Sequence, residues 1–233
     1  YRNLLYSYYK ANAHLNINTA VSKGKYEDYK IVYMPAYNII HSEEIEKITE
    51  YVKNGGIVVT TFRSGTRDIY NNLFTSTLPC AFATLAGIEV EEFSALRKAA
   101  HIEGIVSSEA TIWCDIIKPI TAETLCSYSD RYFKDKAAIT VNDFGKGKVY
   151  YIGCDLEEEA LKGFIRYISE KAGIKITDAP DGVEIVHRDQ CTIIMNHNDY
   201  DVKVSLTGKS LISGDIFNGE LKAFGVDFIK EES

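Results

Sequence analysis

"YKIVYMPAYNIIHSEEIEKITEYVKNGGIVVTT", residues 29–61, decides how this sequence is read. Two short apolar, β-branched runs, "YKIVYMPAY" and "IVVTT", have the composition of buried strands. Between them Ser42 is a suitable N-cap, and Glu43 and Glu44 suit the positive end of a helix dipole. Ile45, Ile48 and Val52 recur at helical spacing, and Gly55–Gly56 end the element. Strand, helix, strand at this spacing predicts an α/β layered domain with a mainly parallel sheet.

Working outward, "YRNLLYSYYKANAHLNI" places Leu4, Leu5, Tyr8, Tyr9 and Leu15 on one helical face, and "NTAV" follows as a short strand. A helix therefore precedes the first strand. A parallel sheet of this type ordinarily opens on a strand, so the expectation is a piece cut from something longer. Residues 72–135 are less regular, with a short helix end and excursion strands in "LAGIEVEEFSALRK" and "EATIWCDIIKP". "AAITVNDFGKGKVYYIG" predicts strand, glycine-lysine turn, strand. "CDLEEEALKGFIRYISEKAGI" predicts an amphipathic helix that buries Leu161, Phe164, Ile165 and Ile168. "TDAPDG" reads as a linker. Beyond it "VEIVHR", "CTIIMNH", "VKVSL" and "AFGVDFIK" form a small antiparallel β-domain. The expected domains are residues 1–177 and 178–233.

The chain has 233 residues, of which 45% are hydrophobic and 25% charged, as in an ordinary globular protein. Its formal net charge of −7, without a lysine–arginine block, argues against a nucleic-acid surface. No apolar run reaches the roughly 18–20 residues of a membrane span. With no signal peptide ahead of residue 1, the expected compartment is the cytoplasm. Cys80, Cys114, Cys126, Cys154 and Cys191 are odd in number and scattered, which suits buried thiols better than a disulfide framework or a zinc site.

Several residues invite a chemical reading. "TTFRSGTRDIYN", residues 60–71, leaves a buried strand at its carboxyl end, where ligands bind in doubly wound sheets. Ser64 lacks the first glycine of a G-x-S-x-G elbow and a histidine partner. Arg63 and Arg67 suit pairing with carboxylates, and Arg63, Ser64 and Asp68 are candidates to brace a contact. Cys154 sits between a strand and a helix, as the nucleophile of a glutamine amidotransferase-like domain does. However, Leu156 stands where that elbow needs glycine, and Glu157–Glu159 would oppose a thiolate. His14, His41, His101, His187 and His197 never fall at metal-ligand spacing. Glu91–Glu92 and Glu157–Glu159 could in principle supply a glycosidase acid/base pair but read as solvated faces.

Four segments together resemble the C-terminal half of glycoside hydrolase family 42, the β-galactosidases. They are "DYKIVYMPAYNIIHSEEIEKITEYVKNGGIVVTTFRSGTRD", "LAGIEVEEFSAL", "AAITVNDFGKGKVYYIGCDLEEEAL" and "GVEIVHR…MNHND". The resemblance covers nearly the whole chain. It implies a Rossmann-like or flavodoxin-like, class I glutamine amidotransferase-like parallel-sheet domain that trimerises, followed by a small all-β antiparallel domain. It also implies that both glutamates of a retaining mechanism against terminal β-D-galactosides, and any cysteine-bound zinc, lie on an upstream (β/α)8 barrel. No catalytic, cofactor-binding or metal-ligating residue is thereby assigned here. The implied partner is the chain itself, as a homotrimer, and the galactoside would be bound by the barrel. Two other readings stay open: a free-standing amidotransferase-like enzyme using Cys154, and a sugar-binding module near Arg63.

Overall fold

A computed structural model describes residues 25–174, 176–188 and 191–230. The expected N-terminal helix and "NTAV" strand lie outside the described residues. Contacts divide the chain into two compact units, one ending at Ala160 and the other resuming at Leu161.

The first unit begins with β1 (Ile31–Met34), α1 (Ser42–Lys53) and β2 (Ile57–Thr61), close to the sequence reading. Helix α1 forms because Ile48 and Val52 share a face that is buried, together with Tyr51. His41, rather than Ser42, occupies the N-cap, without a side-chain cap bond. The helix ends where Gly55 takes φ 114° and the Gly56 amide donates to the Tyr51 carbonyl at 3.0 Å. Next come α2 (Ala83–Ala86), β3 (Ile88–Ala95), β4 (Ala100–Gly104), β5 (Ser108–Ala110), β6 (Trp113–Pro119), β7 (Glu123–Tyr128), β8 (Ala137–Phe144) and β9 (Gly147–Ile152). Helix α3 (Glu158–Lys171) follows, with Phe164, Ile165 and Ile168 buried.

The sheet corrects the expected architecture. The first unit is not a Rossmann-like, flavodoxin-like or amidotransferase-like parallel sheet with helices on both faces. It is mostly β: one nine-stranded mixed sheet in the order β1-β2-β9-β8-β7-β4-β5, with β3 joined to it through β6, which touches β8. Among the described residues only the strands β1, β2 and β9 run parallel, and α1 is the crossover between the first two. The other pairings between described strands of this sheet are antiparallel. The physical reason is connection length. A parallel return needs a crossover of roughly a dozen residues, whereas an antiparallel one can use a two-residue hairpin. β4 ends at Gly104 and β5 begins at Ser108; β7 ends at Tyr128 and β8 begins at Ala137. Between β8 and β9 only Gly145 and Lys146 intervene, and Gly145 adopts φ 64°, which the tight turn demands and glycine allows. The consecutive strands β4–β5, β7–β8 and β8–β9 therefore fold back on one another as antiparallel neighbours. Ile48, Val52, Val58, Phe82, Leu85, Ile117, Val149 and Tyr151 fill the core of this unit.

The second unit carries β10 (Val183–Arg188), β11 (Cys191–Asn196), β12 (Val202–Lys203), β13 (Gly208–Ser210), β14 (Ile216–Phe217), β15 (Glu220–Leu221) and β16 (Val226–Lys230). Five of these form a sheet in the order β10-β11-β16-β13-β14, and β12 pairs with β15, all antiparallel. Alternation along β11 buries Thr192, Ile194 and Asn196, and Ile194 joins Val183, Ile185, Phe217, Leu221 and Ile229 in a separate core.

Candidate functional site

Where β2 ends, the chain turns through Phe62, Arg63, Ser64 and Gly65, with Arg63 at φ 64° and Gly65 at φ 64°. Left-handed backbone at a non-glycine residue costs about 1–2 kcal/mol and persists only where surroundings impose it. Ser64 supplies that imposition. Its side chain is 0% exposed; Oγ donates to the Met34 carbonyl at 3.2 Å and accepts from the Tyr37 amide at 3.0 Å. Ser64 thus staples the end of β2 to the segment after β1. A hydroxyl committed in both directions and sealed from solvent does not act as a nucleophile. Gly65 belongs to the same staple, since a Cβ there would stand 2.6 Å from the Phe82 ring. Gly65→Ala should lower stability by about 1–2 kcal/mol, read as a reduced urea midpoint with unchanged slope.

Asp68 is turned to local use. Oδ1 accepts from the amides of Tyr70 at 2.9 Å and Asn72 at 2.8 Å, and Oδ2 accepts from Asn72 Nδ2 at 3.1 Å. The Asn72 amide bond is the leading cause that holds the Asp68 carboxyl below its usual range. Arg67 donates to the Asn71 carbonyl at 2.7 Å, so it closes the same loop. Arg63 is not paired in this way. Its guanidinium lies 5.2 Å from the centre of the Trp113 ring.

Trp113 leads to a constellation that sequence reading did not single out. Strand periodicity puts Trp113 and Asp115 on one face of β6, and antiparallel pairing sets Phe93 of β3 opposite Asp115. Phe93 and Trp113 stack at 5.3 Å with an interplanar angle of 12°, and Phe62 stacks on Trp113 at 6.2 Å. Asp115 is only 4% exposed. Its Oδ1 accepts from Trp113 Nε1 at 2.8 Å and its Oδ2 from the Tyr151 hydroxyl at 2.7 Å. Burial pushes its carboxyl up to about 6, against the downward pull of those two bonds and of Arg63. Arg63, Phe93, Trp113, Asp115 and Tyr151 line a cleft of about 360 Å³, together with Asn38, Leu73 and Phe74. The signal available in the sequence was the single tryptophan two residues from an acid inside the apolar run "WCDII".

The other candidates do not converge there. Cys154 is buried, and burial, with Asp155 next, pushes its thiol well above the ordinary value. His187 is held between Thr177 Oγ1 and Thr192 Oγ1, each at 2.8 Å, and His197 meets Glu184 at 3.2 Å, all within the second unit. His101 pairs with Glu109 at 3.3 Å, and His14 lies outside the described residues. Exposed Glu91 pairs with Lys136 at 2.8 Å, and Glu92 accepts from the Tyr132 hydroxyl. Glu158 and Glu159 open α3, whereas Glu157 accepts from the Glu109 amide at 3.0 Å. Among the described residues no group of three or more histidine, cysteine or acidic side chains could hold a metal ion. No helix among them is long and apolar enough to cross a membrane.

Residues 1–175 match the family described as the β-galactosidase trimerisation domain. The chain belongs to that family. β-Galactosidase LacZ of Heyndrickxia coagulans is 32% identical over 179 residues, which are 73% of this chain and 27% of the relative. β-Galactosidase BgaB of Geobacillus sp. (strain Y412MC61) is 30% identical over 213 residues, 85% of this chain and 32% of the relative. The chain therefore spans about a third or less of the length of these curated relatives. The crystal structure of β-galactosidase from Bacillus circulans sp. alkalophilus superposes with a TM-score of 0.88 at 26% identity, covering 99% of this chain and 37% of that one. The mixed sheet of the first unit is thus the family's fold, which sets aside the Rossmann-like expectation a second time.

Proposed function

We propose that this chain is the non-catalytic assembly region of a family 42 β-galactosidase, and that three copies associate through it. The observation that carries the reading is the trimerisation-domain match over residues 1–175, three quarters of the chain. Hydrolysis of terminal β-D-galactosides, by a retaining mechanism using two glutamates, is assigned to a barrel upstream of this region. Asp68, Glu91, Glu92, Asp115 and Glu157 support that division, because each is engaged in an ion pair or a hydrogen bond. We place the boundary with the C-terminal β-domain at the linker around residue 177, supported by the end of the family match at 175 and by the separate core of Val183–Ile229. The five free thiols support a reducing, cytoplasmic setting. An amidotransferase-like enzyme using Cys154 is disfavoured by the burial of that thiol.

Two measurements test the proposal. Light scattering on the 233-residue chain should give three times the monomer mass, and a monomer at all accessible concentrations would defeat the assembly reading. The same chain should release nothing from a chromogenic β-galactoside, while the polypeptide extended upstream by a barrel does. Galactosidase turnover by the chain alone would defeat the division of labour.

A further inference from the structure

We propose that the cleft between Arg63, Phe93, Trp113 and Asp115 binds one neutral sugar ring. Its volume of about 360 Å³ lies at the lower end of the roughly 300–1,000 Å³ of small-molecule sites, which suits a single ring rather than a chain. The walls are mainly apolar, with Phe74, Phe93, Trp113, Leu73 and Val90 among them. Such walls fit the C–H faces of a pyranose.

Charge narrows the ligand further. Arg63 and Arg67 both line the cleft, and they repel a cation. The buried Asp115 carboxylate in the same cleft offsets part of that positive charge when ionised. A neutral molecule with hydroxyls can donate to the carboxylate and accept from the guanidinium groups. Asp115 is preorganised for this. Trp113 Nε1 and Tyr151 Oη each hold one of its oxygens, which fixes the carboxylate plane and leaves further lone pairs. Asn38 lines the same cleft, its Oδ1 accepting from Thr66 Oγ1 at 3.2 Å. Aromatic walls with one acid, one amide and two guanidinium groups match a polyol with an apolar face.

Trp113 is the sole tryptophan, so its emission reports on this cleft without labelling. The intact chain is titrated with D-galactose and D-glucose, and with galactosamine as a charged probe. A saturable emission change with a neutral sugar is expected, with a Kd on the order of 1–10 mM. Galactosamine, as a cation, should bind at least about tenfold more weakly. Asn38→Ala and Phe93→Ala alter the rim rather than the buried floor; each should weaken binding about tenfold with the thermal midpoint unchanged. The proposal is overturned if neutral sugars give no saturable change, if a charged probe binds equally well, or if both variants bind like wild type. It is also overturned if the emission follows protein concentration instead of sugar, which would make the cleft a contact between copies. Oligomeric mass, measured on the same samples, tests the assembly reading independently.

Discussion

Replacing Asp155 by alanine should destabilise the protein by about 3 kcal/mol, among the largest losses available to one exchange outside the hydrophobic core. Asp155 follows β9 and its carboxylate gathers the turn before β6. Oδ2 accepts from the Thr111 amide at 2.9 Å and from Thr111 Oγ1 at 3.1 Å. Oδ1 accepts from the amides of Ile112 and Trp113, each at 2.9 Å. A hydrogen bond to a charged group contributes about 1.5–3 kcal/mol, and bonds sharing one carboxylate do not add fully. The residues on either side extend the clamp: the Glu157 amide donates to Ser108 Oγ at 2.9 Å, and the Asp115 amide to the Gly153 carbonyl at 2.7 Å. Removing the carboxylate leaves three amides to find water at a turn that positions Trp113. In a chain of this size the thermal midpoint should fall by about 6–12 °C. Asp155→Asn, which keeps one accepting oxygen, should lose roughly half as much. Thermal unfolding followed by Trp113 emission checks both, and a shift of under about 2 °C for Asp155→Ala would refute the clamp.

That clamp shows what local sequence patterns convey and what they omit. Helix α1, the β8–β9 hairpin, α3 and the strands β10, β11 and β16 were legible because each depends on residues near in sequence: a helical stripe, a glycine turn, an alternation. The direction of strand pairing was not read correctly. "IVVTT" and "KVYYI" do run parallel, as buried apolar runs suggest, and extending that rule across the chain led to a parallel sheet. The deciding information was the brevity of the links between β4 and β5 and between β7 and β8, which excludes a crossover helix. Asp155 itself was not singled out, because its partners at 111–113 lie more than 40 residues away.

The candidate site divides in the same way. The loop after β2 was recognised as a rim, and Arg63 does line the cleft. Ser64, the conspicuous hydroxyl, is instead a buried staple whose partners Met34 and Tyr37 are 30 and 27 residues distant. The Phe93–Trp113–Asp115–Tyr151 cluster draws on β3, β6 and β9, so no local pattern contains it. Only the misfit of an acid within "WCDII" pointed towards it, because a carboxylate in an apolar strand must find donors or give up its charge.

The second large effect follows from that misfit and concerns pH. The carboxyl of Asp115 rises from 3.8 to about 6 in the folded protein, chiefly through burial. A raised acid binds its proton more tightly in the folded state than in the unfolded one. Stability from this group is therefore greatest below the unfolded value and is lost as pH climbs towards the folded value. A rise of about two pH units corresponds to about 3 kcal/mol, withdrawn progressively between about pH 4 and pH 6 and constant above that. Burial raises the Tyr128, Tyr151 and Cys114 hydroxyl and thiol values further from this window, so those groups do not obscure it. Exposed carboxylates held low, such as Asp68 and Glu91, contribute with the opposite sign, so the comparison is made against Asp115→Asn. The amide keeps an oxygen for Trp113 Nε1 and can donate to the Tyr151 hydroxyl, yet it carries no charge to desolvate. Urea unfolding at about pH 3.5 and about pH 7.5 should show the variant gaining roughly 3 kcal/mol on wild type between the two. A difference that stays flat with pH would mean that Asp115 is ionised without penalty, and that the floor of the cleft is wetter than its geometry indicates.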